Sequence, residues 1–495
     1  MSTNLEKIRS SQLLSDSVQS RYEAVIGLEV HVQLNTKTKL FCSCSATFGE
    51  DPNHNTCAVC LGMPGALPVL NSQVVDYGIA MALAIKAQVA SQSIFARKQY
   101  FYPDLPKGYQ ITQYDLPYCV NGEITLSCGQ TVRVTRIHFE EDAGKSVHSE
   151  GGSFVDLNRA GTPLLEMVSE PDLRTPEEAA DYLKKVHAIV KFLGISDGNM
   201  EEGSFRCDAN VSIRKRGEST LGTRAEIKNV NSFRNVERAI AYEIHRQADL
   251  IDSGEQVVQQ TLKFDASSGK TSPIRSKEET ADYRYFPDPD LGILEIALDR
   301  IDRIRTELPE LPEDVARRFM EEFDLTSDDA MVLIQEREIA LFFEETLKSA
   351  KGITPKKVAN FLITEYLREA RERQWSLDKP FVSSENLGSL LSYVGTGTIS
   401  GKIAKQVFSE MAESGKSPTQ IIEGKGLVQI SDDDEITASV NQVLEKNPAQ
   451  VEGYLAGKEK LLGFFVGQVM KLSGGKYNPG VVNKILKERL NAQRK

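Results

Sequence analysis

No stretch of this sequence stays apolar for the roughly 18 residues that a membrane-spanning helix needs, which argues against an integral helical membrane protein. The first twenty residues, MSTNLEKIRSSQLLSDSVQS, lack the long apolar centre of a secretory signal. Residues 1–21 read instead as a polar extension. Net positive charge is missing as well. Against 59 Lys and Arg stand 70 Asp and Glu, a formal charge of −11, so any contact with nucleic acid must be local. Cysteine is scarce and odd in number. Seven in 495 residues, with no secretory signal, point to a reducing, cytoplasmic setting. Neither a fixed-period repeat nor a low-complexity segment is present. Familiar nucleotide and nucleophile signatures are also wanting. Gly144-Lys145-Ser146 and Gly269-Lys270-Thr271 have Phe139 and Phe264 where a P-loop needs its upstream glycine. The run Gly395 to Ser400, GTGTIS, fails the dinucleotide fingerprint at its third glycine. There is no Gly-x-Ser-x-Gly elbow and no convincing Cys–His pair for acyl transfer. If ATP binds this chain, the fold that holds it is neither a P-loop nor a Rossmann type.

What is present is informative from Tyr22 onward. The stretch YEAVIGLEVHVQL, Tyr22 to Leu34, alternates from Leu28. Leu28, Val30, Val32 and Leu34 point one way, and Glu29, His31 and Gln33 the other, as in a half-buried strand. A solvent-facing polar stripe is the ordinary meaning of such a pattern. A carboxylate and an imidazole two residues apart on one face could equally hold a cation. Val132 to Glu141, VRVTRIHFEE, is also strand-like. A helix follows Thr175, which caps it, with Pro176 first in the helix and Glu178 closing a capping box. Ala179, Tyr182, Leu183, Val186, Val190 and Leu193 form its apolar stripe, and Gly194 ends it against a sheet. At 100–200 residues per domain the chain holds two to four units. Residues 22–303 mix strands and helices, whereas 304–420 show helical periodicity alone. Thr354-Pro355 starts one of those helices, running through Val358, Phe361, Leu362 and Tyr366. Residues 421–495 form a further small helical unit, with starts at Asn447-Pro448 and Asn478-Pro479 and a loop at Gly474-Gly475. The fold class is therefore α+β with helical appendages. The last 25 residues carry seven Lys or Arg against the single acid Glu488, which suits a grip on a polyanion.

Three constellations carry chemistry. Cys42-Ser43-Cys44 and Cys57-Ala58-Val59-Cys60 are two close thiol pairs across a short loop, the spacing of a tetrahedral zinc knuckle. All four ligands from protein leave no open position, so such a zinc is structural. Cys119, Cys128 and Cys207 are scattered and read as buried thiols. A second set is acidic: Glu140, Glu141 and Asp142 in IHFEEDAGKS, Glu166 in GTPLLEMVSEPD, Glu201 and Glu202 in MEEGSFRCDANVS, and Glu226 in RAEIKNVNSF. Singly each is a surface or capping residue. With Glu29 and His31 they resemble oxygen ligands for Mg²⁺. Alternation puts Glu140 and Glu141 on opposite faces without saying which faces the site. Third, ARKQYFYPDLPKGYQITQ, Ala96 to Gln113, interleaves Arg97, Lys98 and Lys107 with Tyr100, Phe101, Tyr102 and Tyr109. Asp282 to Pro287, DYRYFP, is similar. Aromatic faces stack on bases and cations hold phosphates, so these segments could clamp a nucleotide or a tRNA end.

These motifs together resemble one family, the B subunit of tRNA-dependent amidotransferases, GatB of GatCAB. The residues that carry the likeness are VIGLEVHVQL at 25–34, the four cysteines, RKQYFYPDLPKGYQITQ at 97–113, HFEEDAGKS at 138–146 and DLNRAGTPLLEMVSEPD at 156–172. EEGSFRCDANVS at 201–212, EIKNVNSFRNVERAI at 226–240 and DYRYFPDPDL at 282–291 extend it. Departures from the family pattern are few; Phe205 stands where an aliphatic residue is more usual, a conservative core change. The resemblance implies an α/β cradle that binds ATP and Mg²⁺, a helical domain, and a YqeY-like tail that contacts tRNA. It also implies ATP-dependent phosphorylation of the side-chain carboxylate of Glu-tRNA(Gln) or Asp-tRNA(Asn), followed by amidation. By resemblance Glu29, His31, Glu141, Glu166 and Glu226 would be catalytic, and Glu29, His31, Glu141 and Glu226 would hold Mg²⁺. Lys98, Lys145, Ser204, Arg206 and Asn210 are candidates for nucleotide or acyl-end contacts. Ammonia would come from an amidase (A) partner, since this chain shows no glutaminase machinery, and a small C subunit would complete a heterotrimer. A non-catalytic, zinc-containing tRNA adaptor is the alternative, and it leaves the glutamates idle. A magnesium-dependent hydrolase acting without a partner is a third reading.

Overall fold

The structure, a computed structural model, describes residues 14–149, 151–274, 283–375, 379–427, 433–473 and 477–493. Most of the N-terminal extension, Asp282 and the Gly474-Gly475 loop lie outside the described residues. Contacts divide the chain into two units, Met1–Leu311 and Pro312–Lys495.

A nine-stranded sheet organises the first unit. In spatial order its strands are Lys270–Pro273, Gln260–Asp265, Ala225–Val230, Phe205–Lys215, Tyr22–Gln33, Pro163–Ser169, Thr131–Glu141, Cys119–Thr125 and Gln88–Val89. Every neighbouring pair is antiparallel except Ala225–Val230 with Gln260–Asp265. The helix Phe233–Asp252 connects those two, as a parallel pair requires a crossover. Tyr22–Gln33 is central, and Leu28, Val30 and Val32 are buried on one face. That face is apolar and covered. The helix Pro176–Phe192 lies against it, capped by Thr175 with Glu178 returning the bond as the sequence predicts. Ala179, Tyr182, Leu183, Val186 and Val190 are buried, and Tyr182 donates to Met167 Sδ. Gly194 takes a positive φ just past the helix end. The helix Ser72–Ala84 comes closer still: a Cβ on Gly78 would stand 2.4 Å from Phe139 Cζ.

The opposite face of the central strands is polar, because period-2 alternation sends every Glu29-type position the same way. Register stacks these positions in rows. One row runs His138, Glu166, His31, Arg206 across four strands. The next contains Glu29 opposite Asp208, and a third sets Asn210 opposite Glu226.

The second unit is helical throughout its described residues. Pro355–Phe361 begins at the expected Thr354-Pro355, but Leu362–Tyr366 winds as a π-turn before the α-helix resumes at Leu367. Glu365, in that turn, is buried against Lys405 at 2.5 Å. Such turns reorient side chains within a helix, which apolar spacing cannot reveal. Helices starting at Pro448 and Pro479 follow their Asn caps, and residues between Ile436 and Leu490 share an apolar core. The expectation that Cys128 is buried fails, for it is exposed. It precedes Gly129 in the tight hairpin turn between Cys119–Thr125 and Thr131–Glu141, where Ser127 and Gly129 are exposed as well. Cys119 and Cys207 are buried as expected.

Candidate active site on the polar sheet face

Two overlapping groups of potential ligands meet on this face. Donor atoms of Glu29, His31 and Asp208 lie within 4.8 Å of one another, and so do those of His31, Glu140 and Glu166. His31 joins the groups. Its Nε2 is 3.4 Å from Glu166 Oε2 and 3.7 Å from Glu29 Oε1. His138 flanks them, with Nε2 3.3 Å from Glu166 and 3.9 Å from Glu140, while its buried Nδ1 has no hydrogen-bond partner among the described residues. Glu140 also accepts from Thr112 Oγ1 at 3.1 Å.

The electrostatics follow from crowding acids in a half-buried face. Burial and the charge of Glu166 push the Glu29 carboxyl up to about 7. Burial alone would lower the His31 imidazole, but its bond to Glu166 and the charges of Glu166, Glu140 and Glu29 prevail and raise it to about 9. Burial likewise opposes ionisation of Glu166, yet His138 and His31 hold it well below the usual carboxylate range. Lys98 is half-buried, and the charges of Glu140 and Glu166 outweigh that desolvation and keep its ammonium charged. Lys98 Nζ lies 5.0 Å from the Tyr283 ring centroid and 6.0 Å from that of Tyr100. Tyr114 and Tyr285 stack beside them at 4.0 Å. The face thus offers carboxylates for a hard cation and one cation-bearing aromatic wall. The carboxylate oxygens of Glu29, Asp208, Glu140 and Glu166 are the hard donors that Mg²⁺ takes, and the His31 imidazole stands among them.

The sequence candidates do not all arrive here. Glu29, His31 and Glu166 do. Glu226 sits further along, bound by Lys228 at 2.9 Å and by Thr261. Lys228 also reaches Asp208 at 3.2 Å and so joins the third row to the second. Glu141 is not brought to the cluster. Strand alternation turns it to the opposite face, where Lys107 pairs with it and the Ile111 N–H donates to it at 2.8 Å. Its neighbour Glu140 occupies the polar face. Arg206 lies in the His31 row and donates to Asp142 at 3.1 Å, a carboxylate that Arg206 and Arg159 hold low against its burial. Gln33 donates to the same carboxylate. Asn210 shares this face, and Ser204 is buried just before the strand that carries Asn210. Lys145 stands exposed at the foot of the ribbon Lys145–Ser149 and Gly152–Asp156, away from the cluster. Sequence reasoning does not single out His138 or Asp208, although alternation signals both. His138 is two residues from Glu140, and Arg206, Asp208 and Asn210 alternate with buried Cys207 and Ala209.

The four knuckle cysteines converge, their sulfurs within 4.8 Å of one another and none in a disulfide. Zinc–sulfur bonds of about 2.3 Å in a tetrahedron set sulfurs about 3.8 Å apart. Cys57 Sγ and Cys60 Sγ stand 3.9 Å apart, so the site fits zinc. Cys60 Sγ also accepts from the Cys57 N–H at 3.1 Å. Hydrogen bonding with Cys42 pulls the Cys60 thiol down, whereas burial pushes Cys44 up.

Known proteins share this arrangement of segments. Residues 24–302 match the GatB/GatE catalytic domain, and residues 341–490 match the GatB domain. The B subunit of the aspartyl/glutamyl-tRNA(Asn/Gln) amidotransferase of Geotalea daltonii is 55% identical over 477 residues, covering 95% of this chain and 99% of that protein. Its counterpart in Geobacter sp. strain M21 is 55% identical over 478 residues, again 95% and 99% of the two chains. That of Persephonella marina is 52% identical over 472 residues, with the same coverage. The polar face lies wholly inside the catalytic-domain match, and this chain belongs to the GatB family.

Proposed function

We propose that this chain is the activating subunit of a tRNA-dependent amidotransferase. It phosphorylates the side-chain carboxylate of Glu-tRNA(Gln) or Asp-tRNA(Asn) with ATP and hands the activated acyl group to ammonia. The observation that carries the reading is the convergence of Glu29, His31, Asp208, Glu140 and Glu166 from four adjacent strands. A carboxylate does not accept an amine directly, because oxide is too poor a leaving group. Phosphate is a good one. Transfer of a phosphoryl group onto an anion needs cations that neutralise the oxygens involved.

Each residue then has a task. Glu29, His31 and Asp208, with Glu140 and Glu166 beside them, would hold Mg²⁺, which would supply positive charge to offset that of the transferred phosphate. Glu226 would be drawn on as an outer carboxylate through Lys228. Glu141, on the other face of its strand and paired with Lys107, is left outside this set. Lys98, charged and backed by Tyr100 and Tyr283, would face the transferred phosphate. Arg206, with Asn210 and Ser204, would orient the acyl end. His138 buttresses Glu166. Zinc bound by Cys42, Cys44, Cys57 and Cys60 would fix the loop that follows the central strand and take no part in the chemistry. The helical tail, with Lys484, Lys487 and Arg489 on its last helix, would grip tRNA. An amidase (A) partner would supply ammonia and a small C partner would round out the assembly, in the cytoplasm. The adaptor alternative gives the converging carboxylates no work.

The test uses the chain with its amidase and small partners, Glu-tRNA(Gln), glutamine and ATP. ADP release that depends on the charged tRNA is expected. ADP release without tRNA, or none at all, would overturn the reading.

A further inference from the structure

Lys39 has no exposed surface at all. Its ammonium donates to the Asn55 carbonyl at 2.6 Å and the Leu157 carbonyl at 3.4 Å, and it reaches Cys60 Sγ at 3.7 Å. Three acceptors use its three N–H donors. Carbonyls carry no net charge, and among the described residues no carboxylate lies within ion-pairing distance of Lys39. The acids that line the same cavity are committed elsewhere: Glu141 to Lys107, and Asp290 to Arg97 at 2.9 Å. A buried cation without a counter-charge is strongly unfavourable. The nearby source of negative charge is the sulfur set. Four thiolates around one divalent zinc leave a net charge of −2 on the site.

We infer that Lys39 is the counter-charge of the four-cysteine site and its tether to the sheet. One charge thus neutralises half of the site's excess, and one N–H bonds the sulfur of Cys60. The other two N–H groups reach both sides of the loop. Asn55 stands two residues before Cys57, and Leu157 opens the turn whose Gly161 accepts from Leu40 N and leads into the strand bearing Glu166. Lys39 therefore acts as a positioning residue for the metal. It shares no contact with the Glu29–His31 cluster. The inference rests on the reading of the four cysteines as a zinc site.

Zinc content and affinity test it, measured by competition with a chromogenic chelator on the full chain purified with its partners. Lys39→Met keeps the volume and removes the charge. It is expected to weaken zinc about 10- to 100-fold, the usual cost of losing a group that supports a ligand. A second arm compares melting temperatures. Lys39→Met should lower that of the zinc-loaded chain. In a chain with all four cysteines changed to serine the same substitution should raise it, because Lys39 then has nothing to neutralise. If Lys39→Met alone does not fold, the serine background still decides. Wild-type chain without zinc would overturn the cysteine reading and the inference with it. Zinc bound equally well by wild type and Lys39→Met would overturn the role of Lys39 alone, as would a melting temperature lowered in both backgrounds.

Discussion

Glu29 and His31 stand 3.7 Å apart, and both hold their protons more tightly in the folded chain than they would in water. The folded Glu29 carboxyl titrates near 7 against an ordinary 4.5, so the folded chain binds the extra proton between those values. Stability therefore falls as pH rises from about 4.5 to 7, and the cost of a buried charge is complete above that. His31 is raised from 6.5 to about 9. Its favourable contribution is whole below 6.5 and is lost as pH rises through 9. Both slopes run the same way in the metal-free chain. Glu29→Gln removes the first. The variant should exceed wild type by about 1–3 kcal/mol at pH 8 and match it near pH 4.5 in metal-free thermal melts. Magnesium should reverse the order at pH 8, because the cation binds wild type more tightly. Superimposable stability–pH curves for the two proteins would contradict the electrostatics. The same variant should lose tRNA-dependent ATP cleavage by roughly a hundredfold or more while still assembling with its partners. Activity near wild type would rule out Glu29 as a ligand. The residue pair is readable from one strand's alternation. The partners are not: Asp208 and His138 come from strands whose pairing no local pattern reveals. Nor can alternation choose between Glu140 and Glu141, since it fixes that two residues differ and not which one faces the site.

Elements are more legible than tertiary neighbours. The capping box at Thr175 and the stripe behind it mark a helix because they are local signals, and both are formed. Asn-Pro starts at 447 and 478 hold for the same reason. The π-turn at Leu362–Tyr366 leaves no such mark, and Cys128 defies the expectation of burial because the turn that exposes it depends on strand pairing. The fit of helix Ser72–Ala84 onto the sheet is equally invisible in sequence. It depends on Gly78, whose hydrogen faces the Phe139 ring between His138 and Glu140 in the chain. Gly78→Ala should destabilise the first unit by about 1–3 kcal/mol, because a methyl group must displace the ring or the helix. Denaturant midpoints check this. An unchanged midpoint would mean that the helix seats more loosely than its geometry indicates.

For the whole molecule, composition alone conveys the class and two broad facts: no apolar helix of membrane-spanning length among the described residues, and an acidic body with a basic end. The contacts divide the chain at Leu311, a few residues past the composition change near 304, because the helix Leu298–Glu307 packs on the first unit. Function becomes readable only through the order of motifs along the chain, since each alone is ambiguous. If the tail grips tRNA, removing residues 428–495 should weaken binding and flatten the dependence of log affinity on log salt by about 0.7–0.9 for every phosphate no longer gripped. An unchanged slope in filter-binding titrations would place the grip elsewhere. The central claim is that the polar face turns a carboxylate into an acyl phosphate. It is tested most directly with Glu-tRNA(Gln) whose side-chain carboxylate is labelled with ¹⁸O, with ATP, magnesium and ammonium chloride as the nitrogen source. Attack of a labelled oxygen on the γ-phosphorus expels ADP, and attack of ammonia on the acyl carbon then expels phosphate carrying that oxygen. One ¹⁸O in each inorganic phosphate released with Gln-tRNA is the predicted result, and phosphate free of label would contradict it.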